Sequence, residues 1–173
     1  MKLLRKLKPF DSNTGHLNVV IDTPKGCRNK YAFDFKLNGY VLKTVMPKGM
    51  LFPFDFGSIP GTIGEDGDPL DVLVLMDEPA FCGCLVRTRL LGVIEATQKK
   101  KGKKSERNDR LIGVAAESHT HSQIKSVSDF DGELLEEIEA FFISYNRVRG
   151  KEFKPLGIYG PKRAKRLVTK QIR

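Results

Sequence analysis

The sequence predicts an α+β protein, mainly β: a small barrel of short strands flanked by helices at its C-terminal end. Three observations carry this. Apolar and polar residues alternate along 17–22 and 31–37, the period of a strand with one buried face. Residues 70–76 are apolar on both faces, as a fully covered strand requires. From Leu134 the period changes: Leu134, Leu135, Ile138, Phe141, Phe142, Tyr145 and Val148 form one stripe of a helix.

Taken in order, Leu17, Val19 and Ile21 alternate with Asn18, Val20 and Asp22 in the first strand. In the second, Tyr31, Phe33, Phe35 and Leu37 alternate with Ala32, Asp34 and Lys36. Asn38-Gly39 follows at once and accepts the positive φ of a tight primed turn, so residues 31–46 read as a β-hairpin. The stretch 46–64 is rich in Pro and Gly, with Phe52, Phe54 and Phe56 on one alternating face. Beyond the strand at 70–76, two more are expected at 84–96 and 111–116, separated by a lysine-rich hairpin tip. Five or more short strands joined by hairpins make a small barrel or sandwich. The helix at 134–148 carries Glu133, Glu136 and Glu137 early, Arg147 and Arg149 late, and Gly150 just beyond, as the macrodipole and C-terminal cap prefer. A shorter helix starts at Pro161 and is expected to pack Ala164, Leu167, Val168 and Ile172.

A chain of 173 residues suits one domain, residues 1–173, burying roughly 70% of its unfolded surface. Forty per cent apolar residues, with eleven Phe, exclude a disordered chain. The opening MKLLRKLKPFD begins like a signal peptide, but Arg5, Lys6 and Lys8 break the apolar run it needs, and nothing approaches a membrane span. Three cysteines, Cys27, Cys82 and Cys84, are an odd number with one pair too close for an ordinary disulfide framework; the reading is a reducing, cytoplasmic setting. The net charge of +9 is concentrated at 98–110 and 161–173. Neither segment interleaves aromatics for base stacking, so nucleic acid is disfavoured against a solvated loop and helix face. His16, His119 and His121 lack the spacing of a ligand set, and no Ser-His-Asp or P-loop pattern is present.

Against this basic background, GEDGDPLDVLVLMD, residues 64–77, places four acidic residues within seven positions at the mouth of a buried strand. Gly64, Gly67 and Pro69 make the loop tight, so Asp66, Asp68 and Asp71 can converge from a rigid support. Hard divalent cations take oxygen ligands, and Mg²⁺ binds one or two carboxylates directly while keeping waters or phosphate oxygens. An EF-hand does not fit: counted from Asp66, the sixth position is Asp71 rather than Gly and the twelfth Asp77 rather than Glu. Magnesium is the expected cofactor.

DGDPLDV resembles the signature of the soluble family I inorganic pyrophosphatases. NVVIDTPKG, NKYAFD, MPKGMLFPFDFGSIPGT, GVIEA, NDRLIGVA and FFISYN also appear in that family's order, covering roughly residues 17 to 160. The resemblance implies a five-stranded OB-type barrel, Mg²⁺-dependent hydrolysis of pyrophosphate to two phosphates, and a homo-oligomer. Carried over by position, it makes Asp66 and Asp71 metal ligands, with Asp22 on the substrate and metal side. It makes Asp68 the general base, and Lys30, Lys43, Arg110 and Tyr145 the groups that hold phosphate, with Tyr145 also at the catalytic centre. Two metal ions sharing a water would bring its pKa towards neutrality, while further cationic charge offsets the departing phosphate.

The chain departs from the family pattern at Gln98 and Asn108, where aspartates are usual; Asn108 would then be a neutral member of the metal set. Ala32 stands for an acidic residue, Lys43 for arginine, Phe52 and Phe56 for tyrosines, and Asn146 for lysine. Glu65, Glu106 or Asp109 are candidates to compensate. Two alternatives accompany the enzymatic reading: a catalytically impaired relative, and an OB-type nucleic-acid-binding module.

Overall fold

In a computed structural model the structure describes residues 7–173. The basic opening read against a leader peptide lies largely outside them. In chain order the elements are β1 (Leu17–Thr23), β2 (Asn29–Asp34), β3 (Gly39–Val45), β4 (Asp55–Ser58), β5 (Asp71–Leu75), β6 (Leu85–Lys100), β7 (Glu106–Arg107), β8 (Arg110–Ala115), α1 (Gly132–Val148), β9 (Lys151–Tyr159) and α2 (Pro161–Lys170). Strands β1, β4, β5, β8 and β6 lie side by side in that order, and β6 returns to pair with β1, closing a five-stranded barrel. This is the α+β, OB-type architecture the sequence implies.

One step in the ring is parallel. β5 runs beside β8 with Val72 opposite Leu111, whereas the other barrel pairs are antiparallel. A meander of hairpins would have made every pair antiparallel. The parallel step puts Asp71 and Arg110, the first residues of two neighbouring strands, at the same end of the barrel.

β5 is apolar on both sides because each face feeds a different cluster. Leu73 and Leu75 pack with Phe52, Phe56, Ile138, Phe142 and Phe153; Val72 and Val74 pack with Leu17, Ile59, Leu111, Ala164 and Val168. Helix α1 covers the first cluster, with Ile138, Phe142 and Tyr145 buried, and α2 contributes Ala164 and Val168 to the second. Asp131 accepts the amide of Glu133 at the start of α1, and Pro161 supplies the fixed φ suited to the first turn of α2. Ile172, expected in the α2 packing face, is instead 42% exposed, because α2 ends at Lys170.

Four other sequence readings shift. β1 is buried on both faces rather than one, since Asn18 is held to the carbonyl of Lys8 and β2 lies over the strand. The hairpin forms as a separate two-stranded sheet, but its turn is wider than a two-residue primed turn. Asp34 pairs with Gly39, and the Asp34 carboxylate accepts the amides of Lys36 and Leu37, so only Asn38 needs a positive φ. β6 runs on to Lys100 because β9, absent from the sequence reading, pairs along its second half. Pro155 and Gly157 weaken the strand signal there; they flank Leu156, the extra residue of a bulge in β9 opposite Glu95 and Ala96, where a missing ladder bond costs least. His119 and His121 lie in the turn after β8, not on a strand, and Asp77 ties that turn down by accepting from the Ser118 hydroxyl and the amides of His119 and Thr120.

Candidate active site

The parallel register aligns Asp71 with Arg110, and the Arg110 guanidinium donates to the Asp71 carboxylate. The ion pair is lopsided: the Arg110 side chain is 4% exposed, that of Asp71 28%. Arg110 lies over two rings, 5.1 Å from Phe142 and 5.6 Å from Phe153, a cation–π arrangement suited to a buried guanidinium. Its Nε has no partner.

Asp22, near the end of β1, is buried and faces Lys30 of β2. Burial pushes its carboxyl up to about 7 and the Asp71 charge adds to this, while Lys30 and the Ser58 hydroxyl act the other way. Lys30 mirrors it: burial lowers its ammonium pKa, and Asp22 and Asp71 oppose that. The Lys30 ammonium rests 3.8 Å from the Phe56 ring centroid and 5.8 Å from Phe52. The two phenylalanines therefore form an apolar, cation-accepting floor under the lysine.

The acidic loop is built as its glycines suggest. Gly64 donates to the carbonyl of Asp68, Gly67 donates to Gly64 with φ 85°, and the amide of Asp68 reaches Asp66 Oδ1 at 3.2 Å. Asp66 and Asp68 sit exposed on the loop, beside Asp71 at the strand start. Partial burial of the Asp66 carboxyl raises its pKa, as do the Asp71 and Asp68 charges, and Arg110 opposes them. A recess of about 30 Å³, room for roughly one water, is lined by Asp66, Asp71 and Asn108 among others.

Tyr145 of α1 is buried beneath this mouth, and burial raises its phenol pKa. Its hydroxyl accepts from Arg149 at 2.7 Å. Arg149 and Lys151, which the sequence reading did not single out for the site, belong to the same charge cluster: Arg149 acts on Lys30 and Lys151, and Lys151 also senses Asp66 and Asp68. The order of residues gave one weak signal, a cation one helical turn beyond Tyr145. Lys43, by contrast, is exposed on β3 and its charge acts on Asp34. Asn146 is fully buried and donates to the Phe142 carbonyl, so it adds no charge.

The positions that depart from the family form their own knot. Asn108 donates to Asp66 at 3.3 Å and to Gln98 at 3.1 Å. Asp109 accepts the Ala96 amide and pairs with Arg107 at 2.8 Å, while Glu65 accepts the Arg107 amide. Both carboxylates thereby hold the β7 segment, and both also line the recess beside Asp66 and Asp71. Glu106 is exposed on β7. Beyond this knot lies a second recess of about 400 Å³ lined by Glu95, Arg107, Asp109, Arg163 and Arg166; Glu95 joins Arg107 at 3.0 Å and Arg163 at 2.6 Å, so its inner cations are already paired.

The donor set decides whether a metal suits the site. Among the described residues no three Asp, Glu, His or Cys side chains meet closely enough to cage an ion by themselves. Mg²⁺ needs no such cage, since it keeps waters or substrate oxygens around one or two carboxylates. Asp66, Asp68 and Asp71 border one another, and burial, with the neighbouring carboxylate charges adding to it, raises the Asp22 and Asp66 carboxyls. The residues fit a hard divalent cation that completes its coordination with other oxygen ligands.

Barrel and site together define an OB-type protein with carboxylates and cations paired across its mouth. Residues 19–173 match the family model for inorganic pyrophosphatase. The inorganic pyrophosphatase of Synechocystis is 36% identical over 149 residues, covering 86% of this chain and 85% of that protein. The crystal structure of inorganic pyrophosphatase from Thermus thermophilus superposes with a TM-score of 0.86 at 33% identity, covering 96% of this chain and 94% of that one. A pyrophosphatase structure from Neisseria gonorrhoeae gives 0.86 at 29%, covering 98% and 96%. The chain belongs to the inorganic pyrophosphatase family, enzymes that hydrolyse phosphorus-containing anhydrides. Neither the impaired relative nor the nucleic-acid-binding module finds support in these matches. No helix among the described residues is long and apolar enough to cross a membrane.

Proposed function

We propose that this chain hydrolyses inorganic pyrophosphate to two phosphates with Mg²⁺ as cofactor. The observation that supports it most is the opposition, at one barrel mouth, of Asp22, Asp66, Asp68 and Asp71 to Lys30, Arg110, Arg149 and Lys151. A tetra-anionic substrate needs cations, and a metal-assisted reaction needs carboxylates; each set here offsets the other.

Asp66 and Asp71 would hold the metal from the loop and the strand start, with Asp22 opposite and Asn108 as a neutral neighbour. When bound, Mg²⁺ makes water a stronger nucleophile and offsets phosphate charge. Asp68, exposed on the loop, accepts the proton of the attacking water. Lys30, kept in place by the Phe56 ring, and Arg110 draw charge from the phosphates, and Tyr145 donates from the α1 side. Lys43, exposed on β3, adds a further cation for phosphate. The reading extends to a single domain in a reducing cytoplasm, which the three free thiols support. It extends also to a homo-oligomer, for which exposed Leu37, Leu42, Val45 and Phe81 supply apolar surface.

Phosphate release from pyrophosphate, tripolyphosphate and ATP, each with and without Mg²⁺, tests the proposal. Release from pyrophosphate alone, and only with metal, is expected; preference for a nucleotide would contradict it.

A further inference from the structure

We infer that Arg149 is a binding residue for the substrate anion, its guanidinium fixed by Tyr145 so that its remaining N–H donors meet a phosphate group. The inference rests on the pyrophosphate reading above and gives a direct role to a residue that reading counts only as charge at the mouth.

Four observations carry it. First, Arg149 is the C-cap of α1, and it reaches back one turn so that one nitrogen donates to Tyr145 Oη at 2.7 Å and the guanidinium lies 5.1 Å from the ring centroid. Both contacts fix the direction of the side chain. Second, among the described residues Arg149 forms no ion pair with a carboxylate, although Asp66, Asp68 and Asp71 border the site. A phenol oxygen accepts a hydrogen bond without cancelling the charge, so the guanidinium keeps its full attraction for an anion. Third, that charge is felt inside the site: it is the strongest charge acting on Lys151 and it opposes protonation of Lys30. Fourth, the other arginine in the cluster, Arg110, already gives one donor to Asp71 and lies over two rings, so it has fewer donors than Arg149 to offer a phosphate. Arg149 is exposed and has donors left over, since a guanidinium carries five N–H groups in a planar fork that fits two phosphate oxygens. Arg149 repels both Lys30 and Lys151, a strain that an anion bound beside it would relieve.

The test uses the full chain and imidodiphosphate, a hydrolysis-resistant pyrophosphate analogue, in Mg²⁺. Arg149→Ala should weaken calorimetric binding of the analogue about 10- to 100-fold, the worth of charge-assisted hydrogen bonds. KM for pyrophosphate should rise by a similar factor, with kcat falling less than KM rises. Arg149→Lys should recover part of the loss, a point charge replacing a fork. Tyr145→Phe, which frees the guanidinium without removing it, should cost a smaller factor. Thermal melting separates binding from folding: Arg149 is exposed, so R149A should melt within a few degrees of the wild type. Unchanged affinity and KM in R149A, or a loss matched by an equal loss in R149K and a collapse in melting temperature, would overturn the inference. A wild-type chain that binds the analogue through Arg149 yet releases no phosphate would sink the hydrolytic reading alone. An active chain with R149A of normal affinity would sink this inference alone, and a chain that neither binds nor hydrolyses would sink both.

Discussion

Breaking the Asp71–Arg110 pair from either side should give very different stabilities. Asp71→Ala strands a guanidinium whose side chain is 4% exposed and whose Nε already lacks a partner. Removing one partner of a buried pair costs about 3–5 kcal/mol, and the residual access of water through the Asp71 side puts the expected loss near the lower figure. Arg110→Met leaves Asp71 instead, which at 28% exposure can rehydrate, and the thioether fills the space between Phe142 and Phe153. Its cost should be within about 1 kcal/mol of the wild type. In the double variant a neutral thioether stands where the stranded charge would be, so most of the D71A loss should return, a positive interaction of about 2 kcal/mol. Urea denaturation of the metal-free protein at pH 7, with unchanged m-values, measures all four corners. If R110M loses as much as D71A, or the double variant is no more stable than D71A, the asymmetric account of this pair is wrong.

Asp22 makes a prediction with pH. Its carboxyl lies at about 7 in the fold against 3.8 for the ordinary group, so the folded state holds a proton that the unfolded state has released. Stability of the metal-free protein should therefore fall as pH rises from about 4 to about 7 and then level off, and Asp22→Asn should flatten this slope; equal slopes would dismiss it. Asn108→Asp would place a carboxylate 3.3 Å from Asp66, where the amide now donates. It should lower the metal-free melting temperature and tighten Mg²⁺ binding by about tenfold, both read from melting curves against metal concentration. Gly57→Ala would set a Cβ 2.5 Å from the Val20 carbonyl and 2.8 Å from Val19 Cγ1, between two barrel strands. A loss of about 2–3 kcal/mol in denaturant midpoints is expected, with β1 and β4 forced apart.

How far the sequence could be read depended on whether a signal was local. The acidic loop was legible because Gly, Asp and Pro dictate their own turn, and the α1 stripe because its period persists over 15 residues, from Leu134 to Val148. Lys30 and Asp22 came from family position, and what the structure adds is their partnership, which depends on β2 lying over β1. The parallel β5–β8 register, which sets Asp71 against Arg110, has no signature within either strand. β9 was hidden because Pro155 and Gly157 are strand-breaking types, accommodated here on either side of a bulge at Leu156. Arg149 read as a favourable charge at a helix end, which it is; its turn back to Tyr145 is a local i, i+4 contact, and what only the fold shows is that this helix end lies beside Lys30 and Lys151. The compensating role open to Asp109 and Glu65 was plausible by type; what no local signal showed is that both carboxylates also accept from the Ala96 and Arg107 amides, with Asp109 paired to Arg107.

The central claim is that carboxylates from one short loop make the barrel mouth a hydrolytic site. Its most direct test compares initial rates of phosphate release from pyrophosphate in Mg²⁺ for the wild type and Asp68→Asn, with both shown to be folded by their melting curves. The account predicts metal-dependent turnover in the wild type and a fall of about 100-fold or more in the variant, the scale of a lost general base. A folded wild type without turnover, or a variant as fast as the wild type, would contradict it.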